Sequence, residues 1–265
     1  MEKVDLHIHS YFSDGVKSVE EIVELAKDLK YFAICDHNEY LGSLQATKLS
    51  NKAILGCEID CVYDNTLIHI LGYNFDYQNQ ELIKLLSESK ERIENQDFNT
   101  LVKMSEKYPN IDLSYYKNYH YDKTRGGFKM LNYFIDLGMV NNMYDFFTLI
   151  EPFEEEKNDL YNVKEVIDII HRANGVAILA HPIKMIKKNN LEDYINQFIK
   201  FGIDGIECYY PSHSIDDIDY LLSIANKNNL DITCGCDFHG HSNTIKIGQL
   251  DVDYQKLRLK KVTGK

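Results

Sequence analysis

The chain has 265 residues, 44% of them hydrophobic and 26% charged, with 4 Pro and 14 Gly, a balance that excludes disordered and fibrous classes. Its 29 Lys and Arg against 41 Asp and Glu leave a formal charge of −12. Such a surface repels long nucleic acids and anionic membranes, because affinity for either comes from many Lys and Arg contacts. The start of the chain lacks the apolar run of a leader, and no stretch of about 18 apolar residues occurs. The six cysteines form no CxxC pair, so the expectation is a soluble cytoplasmic protein with reduced thiols.

Taken in chain order, short apolar or β-branched runs alternate with amphipathic helical patterns, as in a parallel βα architecture. Strands are predicted over 4–8, 32–35, 53–57 and 67–71. Between the first two, Ser18 and Glu21 form a capping box ahead of apolar positions at helical spacing. Residues 78–160 break the repeat: they are rich in Tyr, Lys and Glu, carry helical patterns around 79–107, 127–137 and 142–150, and end in an acidic connector at 151–159. Helical patterns over 162–174 and 191–201 then accompany strands at 176–180, 205–208 and 231–236. The predicted fold is α/β: a distorted (β/α)7 TIM-like barrel from residues 1–77 and 161–265, with 78–160 as a mainly helical insertion.

Potential metal ligands recur at the ends of these strands. His7 and His9 stand at i and i+2, which places them on one face of a strand. Asp14 follows in a Ser-Asp-Gly turn, and then come His37, Glu58, His69, His181 and the i, i+2 pair Asp237 and His239. A lone His or Asp at a strand end is ordinarily a hydrogen-bonded core residue or a cap. Six of the ten His together with three carboxylates describe a site instead, because parallel α/β folds gather the C-terminal ends of their strands. Nine such ligands exceed what one ion needs, so two or three divalent ions are expected, with Glu58 as the bridging carboxylate. Imidazole and carboxylate without thiolate suit Mn, Fe or Zn. Cys35, Cys57 and Cys236 each precede a ligand or acidic residue and are expected to point away from the cavity.

These segments resemble the PHP (polymerase and histidinol phosphatase) family of metal-dependent phosphoesterases. The resemblance rests on Asp5-Leu-His-Ile-His, Asp14-Gly, Asp36-His37, Gly56-Cys-Glu58-Ile, Ile68-His69-Ile-Leu-Gly-Tyr, Ala180-His181-Pro, Gly205-Ile-Glu207 and Asp237-Phe-His239-Gly. It implies a trinuclear cluster with His7, His9, Glu58 and Asp237 around one ion, Glu58, His69 and His181 around a second, and Asp14, His37 and His239 around a third. It also implies hydrolysis of phosphate esters by a metal-bridging hydroxide, with Asp237, Glu58 and His9 at the reacting centre. Within the family the chain is most similar to the group acting on nucleotides and short 5′-phosphorylated oligonucleotides. Histidinol phosphate is the alternative substrate, and a non-catalytic metal-binding scaffold is the alternative of another class.

A phosphate also needs cationic partners. The candidates are Arg125 and Lys129, in a basic segment leading into a helix, and His213 after the sixth strand, where relatives place a substrate-contacting His. A solvated basic turn and a loop His without a role are the other readings. Asp5, Asp36 and Glu207 are candidates to orient metal-bound imidazoles, with strand-end hydrogen bonding or capping as the alternative. The expected partner is a small phosphorylated substrate, with no long nucleic acid and no membrane; the oligomeric state stays open.

Overall fold

A computed structural model describes residues 2–153, 159–241 and 244–263; residues 154–158 of the acidic connector lie outside them. Its seven strands are β1 (Val4–Ile8), β2 (Tyr31–Ile34), β3 (Gly56–Tyr63), β4 (Thr66–Tyr73), β5 (Val176–Leu179), β6 (Gly205–Tyr209) and β7 (Asp231–Cys234). The first five helices are α1 (Val19–Leu25), α2 (Leu41–Leu49), α3 (Gln80–Ser105), α4 (Leu113–Lys117) and α5 (Lys129–Asp136). They are followed by α6 (Met143–Ile150), α7 (Val163–Arg172), α8 (Pro182–Met185), α9 (Leu191–Phe201), α10 (Ile215–Lys227) and α11 (Lys260–Thr263). The Ser18–Glu21 capping box starts α1 with both reciprocal bonds made.

Two expectations are corrected. The third strand occupies Gly56–Tyr63 rather than 53–57; Ala53 makes only a single bridge to Phe32. Alternation explains the true span, since Cys57, Ile59 and Cys61 join one apolar core while Glu58 and Asp60 face the opposite side. Nor is the sheet uniformly parallel, because β4 runs antiparallel to both β3 and β5. The cause is the two-residue link Asp64–Asn65, with φ of 48° and 58°, a left-handed pair that closes a tight hairpin. The pairs β1–β2, β5–β6 and β6–β7 are parallel.

The ladders form a two-stranded sheet (β1, β2) and a five-stranded sheet (β3 to β7), not one continuous seven-stranded ring. Isolated bridges join them: Ile54 N donates to Phe32 O and Asn38 N to Glu58 O on one side, Asp237 N to His7 O and His9 N to Phe238 O on the other. The ladders stop where Asn38 (φ 51°), His181 (φ 23°) and Asp237 (φ 53°) leave their strands in left-handed conformations. Such conformations cost energy in non-glycine residues and tend to persist at functional sites.

Ile59, Ile68, Ile70 and Ile206 pack outward against Ile167, Ile170, Phe198 and Leu221 of α7, α9 and α10. Leu6, Ala33, Leu71, Tyr73, Ile178 and Cys234 pack together between the two sheets, with Leu259 and Val262 closing one end. The helical segment has its own core of Leu101, Met104, Tyr133, Phe134 and Phe146, while Leu82, Leu85 and Leu86 at the start of α3 join the main one. All six cysteines are free and buried. Cys35 lies in the core between the sheets, whereas Cys57 and Cys236 face outward cores. No described helix is long and apolar enough to cross a membrane.

Candidate metal centre

β1 carries His7 and His9 out of the core on one face, and both rings are fully buried. Gly235, just past β7, packs so closely on His7 and Glu207 that any Cβ would collide with both. Glu58 of β3 lies at the centre. Its Oε2 is 3.2 Å from His7 Nε2, 3.3 Å from His9 Nε2 and 3.4 Å from His37 Nε2. Its Oε1 is 2.9 Å from His69 Nδ1 and 3.0 Å from His181 Nε2. His69 reaches this end from the middle of β4 because that strand is antiparallel, so its first half lies beside the C-terminal ends of its neighbours. Asp237 Oδ1 is 3.1 Å from His9 Nε2, and Asp14 Oδ2 is 3.1 Å from His239 Nε2.

All nine sequence candidates therefore meet in one cluster, and three groups within it place a ligand atom from each member within 4.8 Å of every other. They are His7, His9, Glu58 and Asp237; His9, Asp14, His37 and His239; and His37, Glu58 and His69. The first is the set expected from the resemblance. The third contains His37 beside Glu58 and His69, and His181 meets the same Glu58 Oε1 as His69, at 3.0 Å, with its ring 5.2 Å from that of His69.

The donor set suits cations. His7 Nε2, both nitrogens of His9, Glu58 Oε2 and His181 Nδ1 are buried without a hydrogen-bond partner, a costly state unless something else satisfies them. Burial alone would raise the Glu58 carboxyl, but His7, His69 and His37 hold it well below the usual carboxylate range. Burial pushes the His181 imidazole down to about 4, leaving it neutral. Both are the deprotonated forms that metal binding requires. Burial alone would lower the imidazoles of His7, His37, His69 and His239, but the surrounding carboxylates raise them, and a cation would have to displace their protons.

Other side chains hold these in place. Glu207 grips His7 Nδ1 at 3.1 Å and accepts from His181 N at 2.9 Å. Asp5 and Asp36 touch no imidazole: Asp5 accepts from the backbone of Cys236 and Gly248, and Asp36 from Ser10 and Ser13 Oγ, tightening the loop that presents Asp14. Three residues were missed. Asp60, two residues after Glu58 and so on its face, was concealed by ending the strand at 57; Lys184 Nζ lies 2.9 Å from Asp237 Oδ2, and Tyr210 donates to the same oxygen at 2.7 Å. Neither Lys184 nor Tyr210 has a signal in the sequence pattern.

The cluster forms the floor of a cavity of about 1390 Å³ whose far wall is the helical segment. Gly127 N donates to Asp14 O across this seam. Arg125 and Lys129 line the cavity, but Arg125 is paired with Asp136 at 2.9 Å and Lys129 donates to Lys117 O at 3.3 Å. His213 sits outside the cavity lining, with its ring 5.2 Å from that of Tyr210 and Nδ1 on Cys208 O.

A family model described as the PHP domain matches residues 5–178. Over 259 residues the chain is 28% identical to a 5′-3′ exoribonuclease of Haemophilus influenzae, covering 94% of each. It is 23% identical over 264 residues to a 3′,5′-nucleoside bisphosphate phosphatase of Chromobacterium violaceum, covering 90% of this chain and 88% of that one. Among solved structures, a candidate metal-dependent phosphoesterase from Bifidobacterium adolescentis shares the fold, with a TM-score of 0.79, 23% identity, and coverage of 96% of this chain and 93% of that one.

Proposed function

The chain belongs to the PHP domain family and is a metal-dependent phosphoesterase, and from that premise we propose that it hydrolyses short 5′-phosphorylated oligonucleotides. The observation that carries the reading is the set of buried, unpartnered imidazole and carboxylate atoms around Glu58 at the floor of a large cavity. Small-molecule sites span about 300–1,000 Å³, and the cavity here exceeds that range, which favours an oligonucleotide over a mononucleotide. The relatives named exoribonuclease and bisphosphate phosphatase support the same substrate class.

The nine clustered residues, His7, His9, Asp14, His37, Glu58, His69, His181, Asp237 and His239, would hold two or three divalent ions, with Mn, Fe and Zn as the candidates. When bound, such ions polarise phosphoryl oxygens and activate water for in-line attack. The chain's own groups orient that chemistry. Glu58 faces imidazoles with both oxygens and would be the carboxylate shared between ions. Asp237 has Oδ2 held by Lys184 and Tyr210, which leaves Oδ1 turned to His9. Lys184, half-exposed at the cavity wall, offers a phosphoryl oxygen a positive charge beside the cluster. Arg125 and Lys129 would reach the rest of the substrate on exchanging Asp136 and the Lys117 carbonyl for phosphate, and His213, outside the cavity lining, would act through the ring of Tyr210. We read the two bridged sheets as a distorted seven-stranded barrel with 78–160 as an inserted subdomain. The buried free thiols support a reducing, cytoplasmic setting.

The test is a parallel assay of a 5′-phosphorylated trinucleotide, a nucleoside 3′,5′-bisphosphate and histidinol phosphate, each with and without chelation. Chelator-sensitive hydrolysis, fastest on the trinucleotide, is expected. A preference for histidinol phosphate would overturn the substrate reading, and inactivity toward all three would leave a metal-binding scaffold.

A further inference from the structure

Asp60 is 7% exposed and stands on β3 two residues after Glu58. Asn38, in a left-handed conformation, clamps it from below: Asn38 Nδ2 donates to Asp60 Oδ2 and Asn38 Oδ1 accepts from Asp60 N at 3.2 Å. The other carboxylate oxygen, Oδ1, meets two imidazoles at once, 3.1 Å from His37 Nδ1 and 3.0 Å from His69 Nε2. The opposite nitrogens of those rings, His37 Nε2 and His69 Nδ1, both face Glu58.

We propose that Asp60 is a positioning residue that sets opposite tautomers on two metal-binding histidines, so that His37 presents Nε2 and His69 presents Nδ1 to the cations. This rests on the metal-centre reading above. The reasoning is that a carboxylate accepting one ring N–H fixes where the proton sits and leaves the lone pair on the other nitrogen. A single oxygen shared by two rings also fixes their mutual orientation, and Asn38 prevents the carboxylate from turning away. The effect is confined to the groups containing His37 or His69. No member of the His7, His9, Glu58 and Asp237 group contacts Asp60 directly; Glu58 meets only the far nitrogens of the two imidazoles.

Two measurements test this. In the Zn-loaded wild-type protein, long-range proton–nitrogen correlation spectra of the imidazoles should show His37 protonated at Nδ1 and His69 at Nε2; the reverse tautomer on either ring overturns the proposal. In calorimetric titrations with Zn, Asp60→Ala and Asp60→Asn should weaken the sites containing His37 and His69 by about 10–100-fold and leave one site at wild-type affinity. Unchanged affinity at every site, or equal weakening of all of them, overturns it. Should wild type bind no divalent ion, it is the metal-centre reading that fails. The tautomer measurement stands even if a variant does not fold.

Discussion

Buried carboxylates occupy both ends of the strands, and they are treated in opposite ways. At the N-terminal end, Asp204 accepts from Ala177 N at 2.9 Å and pairs with His171 at 2.8 Å and Lys261 at 2.6 Å. Asp231 there accepts from the backbone of Lys261 and Val262. Every one of those acceptors is matched to a donor, and α11 is stapled across the bottom. At the C-terminal end, Glu58 Oε2 and the imidazole nitrogens of His7, His9 and His181 include buried atoms with no partner. The same chemical groups thus serve stability at one end, where donors saturate them, and reactivity at the other, where they are left for cations. This polarity is general in parallel α/β folds.

The largest expected effect tests the unsaturated end. Asp237→Ala or Glu58→Ala should lower turnover by at least about 10³-fold, equivalent to roughly 4 kcal/mol of transition-state stabilisation, and metal content measured by plasma emission should fall with it. Full activity in either variant would break the comparison. At the saturated end, Asp204→Ala should destabilise by about 1–3 kcal/mol in urea unfolding, because the buried Ala177 N–H loses its acceptor. The folded variant should retain wild-type turnover; lost turnover in a folded protein would mean the two ends are not separable. Lys184→Met should raise KM about tenfold with metal content unchanged, a scale consistent with one charge-assisted hydrogen bond to phosphate, and steady-state kinetics beside metal analysis would check it. The smallest effect is in acid. Burial raises the Asp204 carboxyl, but His171, Lys261 and the Ala177 N–H outweigh it and hold the carboxyl below its ordinary value. A depressed folded value means that its stabilising contribution is complete above about pH 4 and is lost as pH falls below that. Urea midpoints of wild type should therefore drop on acidification more than those of Asp204→Asn.

Much of the site was legible because its signals are local. His7 with His9, and Asp237 with His239, announce themselves by i, i+2 spacing at strand ends. The capping box at Ser18 and the helices of the insertion follow from patterns a few residues long. Asp60 carried the same i+2 signal from Glu58 but fell outside a strand whose end was placed too early, among apolar residues 53–55 that fit either a strand or an approach to one. The Asp64–Asn65 hairpin, and with it an antiparallel β4, went unread because the strand leading into it was ended at 57. Lys184 was not readable at all. Its approach to Asp237 spans 53 positions and follows from the left-handed turn at His181. Arg125 was read as a phosphate partner or a solvated basic turn because its partner Asp136 lies across a loop and a helix.

The sequence by itself determined most of the elements and the inventory of candidate ligands, since side-chain chemistry and periodicity are properties of short segments. Tertiary structure decided which nitrogen of each imidazole meets which carboxylate, that His69 and His181 share Glu58 Oε1 while His37 faces Oε2, and which carboxylate or carbonyl each cation meets. Those outcomes depend on strand order, register and direction, which bring residues more than a hundred positions apart to within hydrogen-bonding distance, and no local pattern encodes such distances.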